Sequence, residues 1–300
     1  MTTSVRIALP AGYRVADVLA FHGRDAQGVA EQVGDNKLRK GVMLGGVPTL
    51  LAIDFSEGAA DCRILPDAPA TPALLAQAHD ALLNVLGLRI DPTAFAACAH
   101  DDAALGPLLA RQPGLRIVQS ATVFEALTWA IIGQQINLTF AIALRRTLIQ
   151  LAGRPHSSGL WCYPEAPDVA RLALEDLTSR KFSTAKAETV LRVAHMAVDG
   201  SLSLERTRDA DAVGRALLAI KGIGPWTVNY VLLRGYGYPD CSLHGDVAVR
   251  AALHKLTGSA ERPTLPEAER LLQRYAPHRT MAAAYLWASL GEPDEPAHGG

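Results

Sequence analysis

Apolar positions in the first ninety residues recur with two different periods. Short runs rich in aliphatic and β-branched residues occupy positions 5–9, 41–44, 49–53 and 62–65, with Gly, Asp or Pro between them. That is the pattern of short strands joined by turns. Positions 15–22 and 72–86 instead place apolar residues at helical spacing. The segment therefore reads as mixed α and β. From about Pro92 the strand pattern stops. Helices are predicted near 92–99, 103–111, 123–134, 138–151, 168–174, 183–199, 210–219, 225–233, 247–255, 265–275 and 280–290. Breaks fall at Gly153-Arg-Pro, Gly200, the stretch 222–224, the stretch 235–239, Gly258 and Pro277. The expected organisation is a mixed domain over 1–90, a helical body over 91–290 and a disordered tail over 291–300.

The stretch 217–233, Leu-Leu-Ala-Ile-Lys-Gly-Ile-Gly-Pro-Trp-Thr-Val-Asn-Tyr-Val-Leu-Leu, carries the most information. A helix ends near Ile220, Gly222-Ile223-Gly224 makes a tight turn, and Pro225 opens a second helix at its favoured first position. Glycines there permit positive φ and close approach to a ligand. The exposed N–H groups and positive end of the second helix suit a phosphate oxygen. The alternative is an ordinary αα-hairpin with a glycine turn. A loop, Gly235-Tyr-Gly-Tyr-Pro239, follows, and Asp246 lies twenty residues beyond Trp226.

Turn, Gly/Pro-rich loop and acid, in this order and spacing, resemble the helix-hairpin-helix, Gly/Pro and catalytic Asp of the DNA glycosylase superfamily named for those features. Val123-Phe-Glu-Ala-Leu-Thr-Trp-Ala-Ile-Ile-Gly-Gln-Gln-Ile136 and Tyr285-Leu-Trp287 extend the likeness to its bacterial 3-methyladenine DNA glycosylase II branch. The resemblance implies an α+β protein: a small N-terminal antiparallel β-sheet domain with helices, then a mostly α-helical body holding the hairpin (about 210–234) and the active site. The partner it implies is double-stranded DNA containing damaged bases, bound by a monomer.

Members that also nick the backbone carry a lysine in the second hairpin helix, which attacks the sugar and forms a Schiff base. The matching residue here is Trp226, and the nearest lysine, Lys221, precedes the turn. The implied enzyme is thus a monofunctional hydrolase excising alkylated purines, with water as nucleophile. The alternatives are a glycosylase for oxidised or deaminated bases, and a damaged-DNA-binding protein without catalysis. Asp246 is expected to stabilise oxocarbenium character on the sugar and to orient the water, or to serve as an N-cap for the helix after it. Trp226, Tyr230 and Trp287, with Phe21 as a looser fourth, match pocket positions where aromatic faces attract an electron-poor base. For Trp226 and Tyr230 the competing reading is core packing. Lys221, Gly222, Gly224, Thr227, Gln134 and Gln135 are the expected DNA contacts. Gln135 sits at the wedge position that fills the gap left by a flipped base; the competing reading of this pair is a polar helix terminus. Ala248 is small where a bulkier pocket residue can occur.

Composition adjusts this picture in three places. Net charge is −1, but residues 115–290 carry 20 Lys/Arg against 15 Asp/Glu, and 126–164 and 212–239 contain no acid. A locally basic surface suffices for phosphate contact. Four scattered cysteines, Cys62, Cys98, Cys162 and Cys241, give no C-x-x-C pair, which argues against a disulfide framework, an iron–sulfur cluster or structural zinc. Cys241 and His244 have a metal-compatible spacing without a second pair. No redox cofactor is expected; the resemblance allows a monovalent cation on the hairpin carbonyls. With no apolar run of the ~18–20 residues a membrane span needs and no signal-peptide layout, a cytoplasmic, nucleoid-associated protein is the expectation.

Overall fold

The computed structural model describes residues 2–206 and 209–291. The expected tail, apart from Gly291, lies outside the described residues. Two compact units emerge, one formed by residues 1–89 and 118–237, the other by 90–117 and 238–300. The mixed N-terminal segment thus belongs with most of the helical body in the first unit.

Five antiparallel strands open the first unit: β1 (Thr3–Ala8), β2 (Glu31–Gly34), β3 (Lys37–Leu44), β4 (Val47–Ser56) and β5 (Ala59–Pro66), in the order β1-β5-β4-β3-β2. Helices α1 (Val15–His22) and α2 (Pro72–Val85) accompany the sheet, and Thr71 caps α2 through its hydroxyl. Leu38, Val42, Leu51 and Ile53 of the strands share one core with Val18 of α1 and with Leu74, Ala78, Leu82 and Val85 of α2. The sequence pattern identifies four of these strands and misses β2. It is a short edge strand with a single aliphatic residue, Val33, and three of its four residues are exposed; its signal is the Asp35-Asn36 turn, with Asn36 at φ 53°.

The unit continues with α5 (Val123–Gly133), α6 (Leu138–Ala152), α7 (Ala166–Val169), α8 (Leu174–Thr178), α9 (Thr184–Val198), α10 (Ala210–Leu218) and α11 (Pro225–Val231), which runs into a π-helical turn, Leu232–Tyr236. (Helices α3, Thr93–Ala99, and α4, Gly106–Arg111, belong to the second unit.) The expected single helix at 168–174 is two short ones, and two strand pieces, β6 (Arg154–Pro155) and β7 (Trp161–Cys162), appear where none was expected. They form because 154–163 folds back against β3: Tyr163 N–H donates to the Gly41 carbonyl at 3.1 Å and Met43 N–H to that of Tyr163 at 3.0 Å. The approach needs Gly41, since a Cβ there would lie 2.2 Å from the Trp161 carbonyl oxygen.

A buried ionic quartet ties sheet to helices. Lys40 of β3 reaches Glu31 of β2 at 2.5 Å and Glu125 of α5 at 2.8 Å, and Arg145 of α6 meets the same two carboxylates at 2.6 and 2.8 Å. Two cations and two anions with mutual hydrogen bonds satisfy the condition under which buried charge is tolerated.

The second unit consists of α3 (Thr93–Ala99), α4 (Gly106–Arg111), α12 (Val247–Thr257), α13 (Leu265–Gln273) and α14 (Arg279–Ser289), and in it the ring of Phe95 on α3 lies 6.2 Å from Tyr275 and 5.7 Å from Tyr285. No helix among the described residues is long and apolar enough to cross a membrane.

Candidate active site

In the second unit, Asp246 occupies the N-cap of α12. Its Oδ1 accepts from the N–H groups of Ala248 at 3.0 Å and Val249 at 2.9 Å, and from Trp287 Nε1 at 3.0 Å. The cap reading is therefore a structural fact. The indole of α14 adds a third donor, so the carboxylate is held in one orientation by two helices. The loop before it is pinned to the start of α14: Thr280 Oγ1 donates to the Tyr238 carbonyl and accepts from Cys241 N–H, while the Arg279 guanidinium grips Asp240 at 2.7 and 2.8 Å. Among the described residues no three His, Cys, Asp or Glu side chains converge as metal ligands. Cys241 is fully buried, which pushes its thiol up to about 12, and His244 pairs with Ser242.

The first unit holds the hairpin and the remaining aromatics. Trp226 and Tyr230 lie on one face of α11 with rings 5.1 Å apart and tilted by 31°. Tyr230 is nearly buried, and its hydroxyl accepts from Trp129 Nε1 at 3.0 Å; Trp226 stays partly exposed. Phe21 joins this group through two arginines. The Arg24 guanidinium lies 3.9 Å from the Phe21 ring centre and 5.5 Å from that of Trp129; Arg234 lies 4.7 Å from Phe21 and 5.9 Å from Tyr230. Burial holds Arg24 below the ordinary arginine range. Trp129, Arg24 and Arg234 escape the sequence reading. Trp129 sits within an apolar helix that looks like plain core, and no local pattern marks an arginine that stacks on a ring distant in sequence.

The hairpin turn follows the expected path. Gly222 takes φ +96°, Gly224 is the N-cap of α11 and Pro225 its first residue. Lys221 and Gly222 are exposed. Gln134 turns inward to the hairpin, donating to the Gly222 carbonyl at 3.0 Å and to Thr227 Oγ1 at 2.9 Å. Thr227 itself is buried. Gln135 stands exposed next to it, with φ +55°.

A hairpin of this form, and a carboxylate capping the helix after it and held by an indole, define a protein of the base-excision class. Residues 128–278 match the profile of the HhH-GPD superfamily base excision DNA repair protein, and the chain belongs to that family. It is 32% identical over 208 residues to the DNA-3-methyladenine glycosylase of Bacillus subtilis, covering 67% of this chain and 68% of that one. With DNA-3-methyladenine glycosylase 2 of Escherichia coli it shares 29% identity over 195 residues, 64% of this chain and 67% of the relative. The fold is similar to that of a 3-methyladenine DNA glycosylase from Archaeoglobus fulgidus, with TM-score 0.79 and 21% identity over 94% of this chain and 97% of the other.

Proposed function

We propose that the protein is a monofunctional DNA N-glycosylase that flips alkylated purines of the 3-methyladenine type out of duplex DNA and hydrolyses their bond to the sugar. The observation that carries this reading is the Asp246 carboxylate, fixed by two backbone N–H groups and the Trp287 indole, in a chain of the base-excision family. As the bond to the purine lengthens, the sugar gains positive charge, which a carboxylate at Asp246 stabilises while orienting the attacking water. A second acid is unnecessary because an N-alkylated purine leaves from a cationic state. Trp226 and Tyr230 supply ring faces on which such a base stacks. Stacking worth ~1–3 kcal/mol per base is comparable with the few kcal/mol that extrusion costs.

Hydrolysis without strand cleavage is supported by Trp226, which fills the position where nicking members carry lysine: an indole forms no Schiff base. The names of the relatives support the alkylpurine substrate. The protein acts as a monomer and without a redox cofactor in this scheme. A monovalent cation at the hairpin would have to share carbonyls with donors already there, since those of Lys221 and Gly222 accept from Arg192 and Gln134.

The test is release of free base from methylated duplex DNA by the intact protein and by Asp246→Asn. Free 3-methyladenine or 7-methylguanine from the former and little from the latter, with strands intact until alkali is added, is the expected result. Tight DNA binding with no base released by the intact protein overturns the alkylpurine reading.

A further inference from the structure

One face of α9 touches both pieces of the proposed DNA-contacting surface. Lys186, Thr189 and Arg192 follow one another at intervals of three residues, so they line one side of the helix. Lys186 Nζ donates to the carbonyls of Ile131 (3.4 Å) and Gln134 at the end of α5. These carbonyls belong to the C-terminal end of α5, that of Ile131 also accepting from Gln134 N–H at 3.4 Å, and a cation there meets the negative end of the helix dipole. Arg192 donates to the Lys221 carbonyl at 2.9 Å. Thr189 backs the turn: a Cβ on Gly222 would lie 2.3 Å from its Oγ1. Gln134, whose carbonyl Lys186 holds, in turn donates to Gly222 and Thr227.

This circuit closes around Gln135. Its positive φ is sparsely populated by non-glycine residues and persists only where neighbours over-determine it. On one side Gln134 is fixed at both its carbonyl and its side chain. On the other, Asn137 accepts from Phe140 N–H at 2.9 Å as the N-cap of α6. The loop presenting Gln135 is thereby bolted to the hairpin rather than hinged beside it.

We propose that Lys186 is a positioning residue: through the α5 carbonyls it holds Gln135 ready to enter the duplex at the moment the hairpin docks, so that backbone binding and gap filling occur as one event. The proposal rests on the wedge role given to Gln135, but not on which lesion is excised. Losing a charge-assisted anchor of this kind lets the exposed loop sample other conformations. It penalises insertion while leaving phosphate contacts in place.

The probe is a duplex with an abasic analogue opposite 2-aminopurine, whose fluorescence reports unstacking and which offers no base to excise. The intact protein is expected to change that fluorescence on binding. Lys186→Met should bind the duplex with Kd within about threefold of the intact protein yet lose on the order of 90% of the signal, a shift of at least about tenfold in the insertion equilibrium. Lys186→Arg, which keeps the donor and the charge, should recover most of it. A full signal from Lys186→Met overturns the proposal. So does a joint loss of signal, binding and melting temperature that Lys186→Arg does not repair, which would make Lys186 a scaffold residue only. An intact protein that binds without any signal removes the wedge and this proposal with it. Failure of the alkylpurine reading would show separately, as missing base release.

Discussion

At Asp246 a single oxygen serves three donors, and two of them belong to the helix it caps. Removing the side chain therefore removes two things, and the choice of substitution separates them. Asn is as good an N-cap as Asp, whereas Ala forfeits about 1 kcal/mol of helix stability. Asp246→Asn should abolish base release while leaving the melting temperature within about 1 °C, since a ΔΔG near zero shifts it little. Asp246→Ala should abolish release and also lower the melting temperature by a few degrees. Thermal unfolding of the two variants beside the base-release assay checks both. Equal loss of stability in both would mean that the capping geometry is not what the side chain supplies. The capping role was legible in the sequence from the residue type before an apolar helix. The Trp287 contact was not, because forty residues separate indole and carboxylate and only folding brings them within 3.0 Å.

Between elements, the buried quartet and its neighbour His22 make stability depend on pH. Burial first, and the nearby Lys40 charge second, lower the His22 imidazole to about 3. It stays neutral in the fold, while in the unfolded chain it titrates near its ordinary value of about 6.5. Between these values the unfolded state binds more protons, so stability falls as pH drops from about 6.5 toward 3. Burial alone would raise the Glu31 carboxyl, but Arg145 and Lys40 outweigh it and hold the group below the ordinary carboxylate range. Its contribution is present above about pH 4.3 and is lost only below that. The slope between pH 6.5 and 5 is therefore assigned to His22. Urea unfolding across that range should show stability falling, and His22→Gln should flatten the curve. An unchanged slope in the variant would place the titrating group elsewhere. The elements joined here also mark how far the pattern of the chain carried. Helices with clear caps and apolar faces, such as α2 and α5, were legible because their period is local. Strand β2, with little apolar content, and the β6–β7 pair, created by packing against Gly41, depend on partners far along the chain.

For the whole molecule, near-zero net charge bears on how DNA is held. A total of −1 leaves no long-range attraction to a polyanion, so proposed binding must come from local groups such as Lys221 and the N–H groups of the hairpin. Affinity should fall with salt at a modest slope: about two to four neutralised phosphates give a slope near −2 to −4 in the logarithm of the association constant against log salt. Fluorescence anisotropy between 50 and 300 mM salt reads it directly, with those concentrations chosen as roughly the range over which counterion release is resolved. A slope steeper than about −6 would mean that a broad basic surface, not the hairpin, carries binding.

The second unit is assembled from two separated stretches of chain, and this has a consequence in time. Phe95 packs against Tyr275 and Tyr285, which leave the ribosome long after it does. At ~5–20 residues per second, the wait for Tyr285 is about ten to forty seconds. Throughout that interval α3 and α4 lack the rings that cover Phe95, while the strands of the first unit can already pair. Newborn chains therefore pass through a stage in which one unit is taking shape and the segment that begins the other hangs from it with its central aromatic side chain uncovered, a stage at which chaperones have something to hold.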